Sequence, residues 1–409
     1  MSEKILVSGP VNVVRLEGKL FGINKIIYIF FDFHMPCEVE SSCNDIYSTT
    51  ITQFLLNEFK KINKKDTYHD FFLETFPIGL LQSDHYRGKY INDVRRFFTQ
   101  AFIYEPNSDK VLPSKIFPKV RLHYIDIRDY LFWELLITKV DALVTLIQNL
   151  SNPMNIKFAK EGIAIVSADL KWIIDLMFNK STATKGGAKL IQSYEYKKIE
   201  IEKIVDLINK LQNKYKHKEV QKIVNMMLND YFKVGLLLAI DKLPLILKMV
   251  TDLEKKTSIP YNQLNPEKRV TQDDLLPGFY QITLPYGPNY EEVRLLHNEI
   301  IKLMNQVSHV CFSSAVTLVD AYFIRRFLDK DYITNALSYT GGFHSLMYIY
   351  VLSKYFDFKV THASYSKYDI PTLNKKINET ELGPEFPNLF YPPELIQCSD
   401  LTNFPKNFE

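Results

Sequence analysis

The sequence predicts an α/β fold: a mainly parallel sheet flanked by helices, with a helical insertion. Three observations predict it. Ile26–His34 is a continuous apolar and aromatic run that ends on Asp32 and His34, suited to a strand buried on both faces. From Lys25 to Glu74 a strand, a helix and a second strand follow one another at βαβ length. From Tyr130 to about Lys256 the apolar residues recur almost wholly with helical period.

The chain has 409 residues, more than one ordinary domain needs. The patterning divides it into a first half of the α/β domain (1–129), a helical insertion (130–256), a second half (257–360) and a wrapping tail (361–409). Hydrophobic residues make up 46%, enough for a packed core and too many for disorder. Lys and Arg number 50 against 47 acids, a net charge of +3, which gives no strong nucleic-acid or membrane-surface signal. No signal peptide is visible, and no window holds roughly 18 uninterrupted apolar residues. Four cysteines form no framework in so long a chain, so Cys37 and Cys43 read as free thiols in a reducing compartment.

Taken in order, Val11–Leu16 and Lys25–Phe33 read as strands joined by a glycine turn. Asp32 and His34 follow at period two, which would set both on one side of the pleat. Ile46–Ile62 is helical by Ile51, Phe54, Leu55 and Phe59. Asp70–Glu74 is a short apolar run closing on a carboxylate, and Gln82–Tyr104 is a helix bearing Arg87, Arg95 and Arg96. Arg121–Arg128 reads as a third strand, with Asp126 and Arg128 on one face and His123 on the other. Three runs therefore end in ionisable side chains. That is the pattern of a site built at the carboxyl edge of a sheet.

The insertion divides into helices over Tyr130–Leu150, Lys157–Asn179, Ser193–Tyr215, Lys218–Phe232 and Leu236–Lys255. Ser181–Gly187 is a flexible break and Thr257–Pro288 a connecting loop. Tyr290–Lys330 is helical and holds Asp320. Asn335–Tyr339 then feeds Gly341-Gly342-Phe343-His344-Ser345 and the helix Leu346–Tyr355. Gly341 and Gly342 would make a tight turn that aims His344 at His34. Backbone groups near Ser345 would favour an anion or cofactor.

These endings resemble one superfamily. It is marked by a strand ending in G-x-x-H, a second ending in glutamate, a third with a D-x-R end, and a last with another G-x-x-H. It includes the TraB, Tiki protease, ChaN-like haem-binding and erythromycin-esterase proteins. Gly341 to His344 match the last element, Glu74 the glutamate, and Asp126 with Arg128 the third. The first element is Phe31-Asp32-Phe33-His34, with Phe31 in place of glycine, where it would crowd a ligand. The chain is also similar to an uncharacterised group of large DNA virus (mimivirus-like) proteins whose first strand ends in G-D-x-H. The resemblance covers scattered points between Ile26 and Tyr355. It implies a parallel-sheet fold with a site between two half-domains. It also implies a metal-dependent peptidase, an ester hydrolase, a haem binder, or a protein without activity.

The residue types point the same way. His34, Asp32, Glu74 and His344 would suit a divalent transition metal such as Zn, Mn or Fe. Glu74 would otherwise serve as base, paired with His34, and Arg128 would stabilise an oxyanion beside Asp126. No G-x-S-x-G elbow is present, which argues against a serine hydrolase. The expectation is a hydrolase, metal-assisted or His/Glu-based, acting on a peptide or ester bond of a peptide or small-molecule substrate. The alternative is a viral interaction or scaffold protein that binds a protein partner through the helical insertion, where Lys198–Lys218 is charged with one apolar stripe. The expected location is cytoplasmic: host cytoplasm, viral factory or virion.

Overall fold

The structure is a computed structural model that describes residues 4–64, 66–76, 88–105, 110–131, 133–150, 153–178, 198–257 and 290–408. Ser181–Gly187, the loop following Thr257 and the segment holding Gln82 and Arg87 lie outside the described residues. The chain clusters into two units. One comprises residues 1–127, 211–225 and 319–409; the other comprises 128–210 and 226–318. The helical unit thus runs on to Leu318, well beyond residue 256, while 211–225 belong with the sheet.

The first unit is mixed α/β. Its strands are β1 (Leu6–Ser8), β2 (Asn12–Leu20), β3 (Ile23–Asp32), β4 (Thr49–Thr50), β5 (His69–Leu73), β6 (Tyr104–Glu105), β7 (Lys110–Val111), β8 (Val120–Tyr124), β9 (Asn335–Gly341), β10 (Lys359–Ala363) and β11 (Cys398–Asp400). The six-stranded sheet has the order β10-β2-β3-β9-β5-β8. The pairings of β9 with β3 and β5, and of β5 with β8, are parallel; those of β2 with β3 and β10 are antiparallel. β3 is therefore one arm of a hairpin as well as a partner of the late strand β9. The tail does more than wrap. β10 completes the sheet edge, and β11 pairs with β1.

Between the strands run α1 (Ile51–Ile62) and α2 (Lys89–Ala101). Thr50 caps α1, its side chain accepting from the backbone N–H of Gln53. Ile51, Leu55, Phe59 and Ile62 form the buried stripe of α1. Phe59 meets Phe71, Phe98 and Phe117 edge-on at ring separations of 5.3, 5.4 and 5.8 Å. Each such ring contributes about 1.5–3 kcal/mol by burial, so this cluster fixes α1 and α2 on one sheet face.

The helical unit holds α3 (Trp133–Gln148), α4 (Pro153–Phe178), most of α5 (Lys198–Asn213), α7 (Val234–Thr257) and the first part of α8 (Tyr290–Leu328). α6 (Lys218–Met226) continues through a π-helical stretch, Met227–Lys233, into α7, which keeps Pro244 inside it. Within this unit Lys139 pairs with Asp169, and His297 Nε2 lies 2.6 Å from the Ile147 carbonyl. By length and composition alone α8 could cross a membrane over Glu291–Leu328, but 61% of its apolar 18-residue window is buried in the protein, as in a core helix.

The end of α8 and the next helix, α9 (Gly342–Phe356), cover the other sheet face. Phe72 packs edge-on against Phe323 at 5.0 Å, and Phe323 stacks on Tyr348 of α9 at 3.8 Å. Adjacent strand residues point to opposite faces, so Phe71 and Phe72 serve the two layers separately. A last helix, α10 (Ile370–Glu379), packs on β10 and α9. Lys25, fully buried, ties the end of α8 to the sheet: its Nζ donates to the carbonyls of Phe327, Lys330 and Ile333. Burial lowers its pKa to about 8, against the opposing pull of Asp331, Asp70 and Asp329.

One cysteine expectation fails. Cys43 is disulfide-bonded to Cys398, 355 positions away, so the loop after β3 is tied to the C-terminal strand. The reducing compartment read from free thiols loses its basis. The sequence cannot reveal such a pairing, because the two cysteines meet through long-range contacts: β1 pairs with β11, Cys43 N–H donates to the Ser8 hydroxyl, and Ser41 bonds Gln397.

Candidate functional site

β3 and β9 lie side by side in parallel, with Asp32 opposite Gly341. After β3 the chain leaves to α1 on one face; after β9 it leaves to α9 on the other. Such a switch opens a crevice at the carboxyl ends of the strands. β5, the other neighbour of β9, delivers Glu74 into that crevice one residue past its end.

Three expected residues converge there. His34 Nε2 lies 3.2 Å from Glu74 Oε2, and His344 Nε2 lies 3.6 Å from Glu74 Oε1. Gly341 N–H donates to Glu74 Oε2 at 2.7 Å. A Cβ at Gly341 would stand 2.6 Å from His34 Nε2 and 3.4 Å from Glu74 Oε2, so only glycine leaves room for the pair. Arg95, buried on α2, donates from Nε to the Glu74 carbonyl at 2.6 Å. Behind His344 stands Asp320, fully buried, its Oδ1 2.6 Å from Nδ1.

The strand stops at Asp32, earlier than its apolar run suggests. His34 adopts a left-handed φ of +48° and does not share a pleat with Asp32. Asp32 instead holds the turn: Oδ1 accepts from His34 N–H at 2.7 Å, and Oδ2 accepts from the Tyr339 hydroxyl at 2.5 Å. His34 Nδ1, 3.6 Å from Asp32 Oδ1, is sealed from solvent without a hydrogen-bond partner among the described residues. The result is a chain of alternating carboxylates and imidazoles: Asp32, His34, Glu74, His344, Asp320.

Burial by itself would raise the Glu74 pKa, but His344 and His34 overcome it and hold the carboxyl well below its ordinary range. Burial would likewise lower His344, but Asp320 and Glu74 push it up to about 10. Glu74 is therefore a carboxylate and His344 an imidazolium at neutral pH. Burial, then Asp32, keep the Tyr339 phenol far from ionising. His34 is the solvent-facing member: its side chain is 27% exposed, against 5% for Glu74 and 4% for His344.

Other expected residues take different places. β8 ends at Tyr124, so Asp126 and Arg128 are not a strand pair. Asp126 is buried just beyond it, where Ile125 N–H donates to the Leu73 carbonyl beside Glu74. Arg128 opens a 3-10 turn, Arg128–Leu131, in the helical unit. Ser345 turns its hydroxyl back to Gly341 O and Thr340 O, the ordinary back-bond of a helical serine, rather than out to a ligand. Gly342 lies under Tyr391. His123 is a sheet residue as expected, stacked on Phe72 and 2.7 Å from the buried Asp70 carboxylate that Arg121 also clasps. Asp320, Arg95 and Tyr339 were not expected here. An acid inside an apolar helical stretch, as in Leu318-Val319-Asp320-Ala321, is the one signal that could have found Asp320, because such an acid needs a buried partner.

The donor types suit a metal, and a carboxylate behind a histidine is the usual support of a metal ligand. Yet among the described residues no three His, Cys, Asp or Glu side chains are placed to hold an ion together. His34 Nε2 is hydrogen-bonded to Glu74, and His344 Nε2 lies 3.6 Å from it. The residues as arranged form an acid–base chain and do not fit a metal centre.

A family model described as a family of unknown function (DUF5847) matches residues 5–409. The chain is 33% identical to uncharacterized protein R706 of Acanthamoeba polyphaga mimivirus, covering 99% of this chain and 97% of that protein. It is 32% identical to uncharacterized protein R161 of the same virus, covering 99% and 98%. No solved structure matches. These matches carry the likeness to viral proteins and give no support to the likeness to the TraB and Tiki superfamily. The chain belongs to the DUF5847 family, together with these mimivirus proteins.

Proposed function

We propose that this protein is a hydrolase of ester or peptide bonds that activates water with His34 and Glu74. The single observation that carries the reading is Glu74 held between two imidazoles, 3.2 Å from His34 and 3.6 Å from His344. Ionised Glu74 orients the His34 ring, as a carboxylate does for a catalytic histidine. With Nε2 directed at Glu74, the accepting nitrogen is Nδ1: the partly exposed ring turns Nδ1 outward from its sealed position, and Nδ1 takes a proton from water as the oxygen attacks the carbonyl carbon. It returns that proton to the leaving oxygen or nitrogen as the acyl bond breaks. His344, kept charged by Asp320, fixes Glu74 and stays out of proton transfer. No step runs through a metal.

The test uses the purified full chain on a panel of p-nitrophenyl esters and fluorogenic peptides, with Glu74→Gln and His34→Ala. The reading expects turnover in the wild type and a loss of about 100-fold or more in both variants, the usual weight of a general base. Turnover that survives Glu74→Gln rejects it. Chelation with EDTA should leave the rate unchanged, and a rate restored only by Zn, Mn or Fe would favour the metal-assisted route instead.

A second reading is a viral interaction protein that keeps the fold without chemistry. The helical unit favours it: Leu237, Leu238 and Leu245 of α7 and Phe312 of α8 are exposed apolar side chains. We assign its place to the host cytoplasm, viral factory or virion. Silence on the whole panel, with a partner captured by the helical unit, would support it.

A further inference from the structure

Tyr391 comes from the C-terminal segment, far from the residues that make the site. Its ring is pinned edge-on by Phe31 at 6.2 Å and by Phe33 at 6.0 Å, the residue just before His34. Phe31 is itself backed by Phe390 at 6.3 Å. Phe31, the aromatic residue that stands where a glycine was expected, thus supports Tyr391. The Tyr391 hydroxyl lies directly on Gly342, where a Cβ would collide with it. Gly341, the next residue back, is the one on which His34 Nε2 and Glu74 Oε2 rest. Two consecutive bare glycines therefore carry the acid–base pair on one and a phenol on the other. Among the described residues the hydroxyl has no hydrogen-bond partner, yet it is not sealed from solvent. Burial of the ring pushes the phenol up to about 12, so it remains a donor at any working pH.

We propose that Tyr391 is a catalytic residue of this site: its hydroxyl donates a hydrogen bond to the substrate's carbonyl oxygen, strengthening as that oxygen gains charge. The inference rests on the hydrolase reading above. Tyr391 gives up no proton; it stabilises the tetrahedral oxyanion while His34 moves the proton between water and leaving group. The substrate class is an acyl compound, an ester or amide, whose carbonyl lies over Gly341 and Gly342.

The test measures p-nitrophenyl acetate hydrolysis by the full chain carrying Tyr391→Phe, Gly342→Ala or Glu74→Gln. Tyr391→Phe keeps the ring and its packing, so the melting temperature should hold. Its kcat should fall about 100-fold, the usual effect of losing one oxyanion donor. KM should change little, and the pH profile should keep its shape, because no titrating group is removed. Gly342→Ala, which displaces the hydroxyl, should reproduce the fall in kcat. Wild-type kcat in Tyr391→Phe beside a dead Glu74→Gln overturns the tyrosine assignment and leaves the hydrolase reading standing. Full activity in Glu74→Gln overturns the reading itself.

Discussion

Asp320 Oδ1 stands 2.6 Å from His344 Nδ1, with both side chains almost wholly buried. The pair joins the end of α8 to the first turn of α9. It also settles which nitrogen of His344 faces Glu74, because Nδ1 is spent on the aspartate. Asp320→Asn should let the His344 pKa fall from about 10 towards the ordinary 6.5. Breaking a buried pair costs about 3–5 kcal/mol, so the melting temperature should drop with it. Imidazole nitrogen NMR of the two proteins checks the first point and calorimetry the second.

Gly341 is the tightest place in the site. Gly341→Ala would bring a methyl to 2.6 Å from His34 Nε2 and 3.4 Å from Glu74 Oε2. The strand beneath is paired on both sides, so the imidazole must move. We expect a loss of about 10-fold or more in hydrolysis, since small misplacements of a catalytic group are costly. The melting temperature should shift only by a few degrees, because a surface-facing ring can swing. A rate equal to the wild type would show that His34 need not sit where the structure puts it.

The disulfide gives a prediction independent of any activity. Cys43–Cys398 fastens the loop after His34 to a strand near the C-terminus. Ser41 and Gln397 reinforce the same junction with two hydrogen bonds of 3.0 and 2.8 Å. Replacing both cysteines by serine should cost about 2–5 kcal/mol, as loss of a native bridge does. Protease cleavage should then appear between residues 35 and 48. Peptide mapping without reductant should recover the two cysteines in one linked fragment; separate alkylated thiols would contradict the bridge.

These elements differ in how far the sequence revealed them. The run Ile26–Phe31, the carboxylate Glu74 and the Gly341–His344 turn were legible because each is a local pattern: a buried strand, a strand end, a strand-to-helix turn. Their convergence was legible in outline, since parallel strands put such endings on one edge. The left-handed His34 was not, because Asp32 bonding back to its N–H is a matter of turn geometry that periodicity does not see. Reading Asp126 and Arg128 as a strand pair failed for a related reason: the ladder with β5 ends at Tyr124, while the apolar alternation runs on. Asp320, Tyr391 and the Cys43–Cys398 bridge needed contacts across 24 to more than 350 positions. No short-range pattern encodes those.

The two opposed shifts in the site fix how stability should depend on pH. Glu74 is held well below its ordinary 4.5, so the unfolded chain binds its proton more readily. Its contribution is present above about pH 4.5 and is lost as pH falls through the folded value. His344 is raised from 6.5 to about 10, so the folded chain binds its proton more readily. That contribution is complete below pH 6.5 and declines until pH passes about 10. Lys25 acts in the opposite sense: lowered from 10.5 to about 8, it favours the folded state increasingly as pH rises through that interval. Stability should therefore be greatest between about pH 5 and 6.5 and fall from pH 7 to 8 through His344 alone. Between about pH 8 and 10 the two slopes, about one proton each and opposite in sign, nearly cancel, so the fall levels off. Urea denaturation at steps across pH 4–10 checks this, with Lys25→Met as the control: its fall should be steeper above pH 8 and unchanged below. A Lys25→Met curve parallel to the wild type throughout would mean that Lys25 keeps an ordinary proton affinity despite its three carbonyl partners.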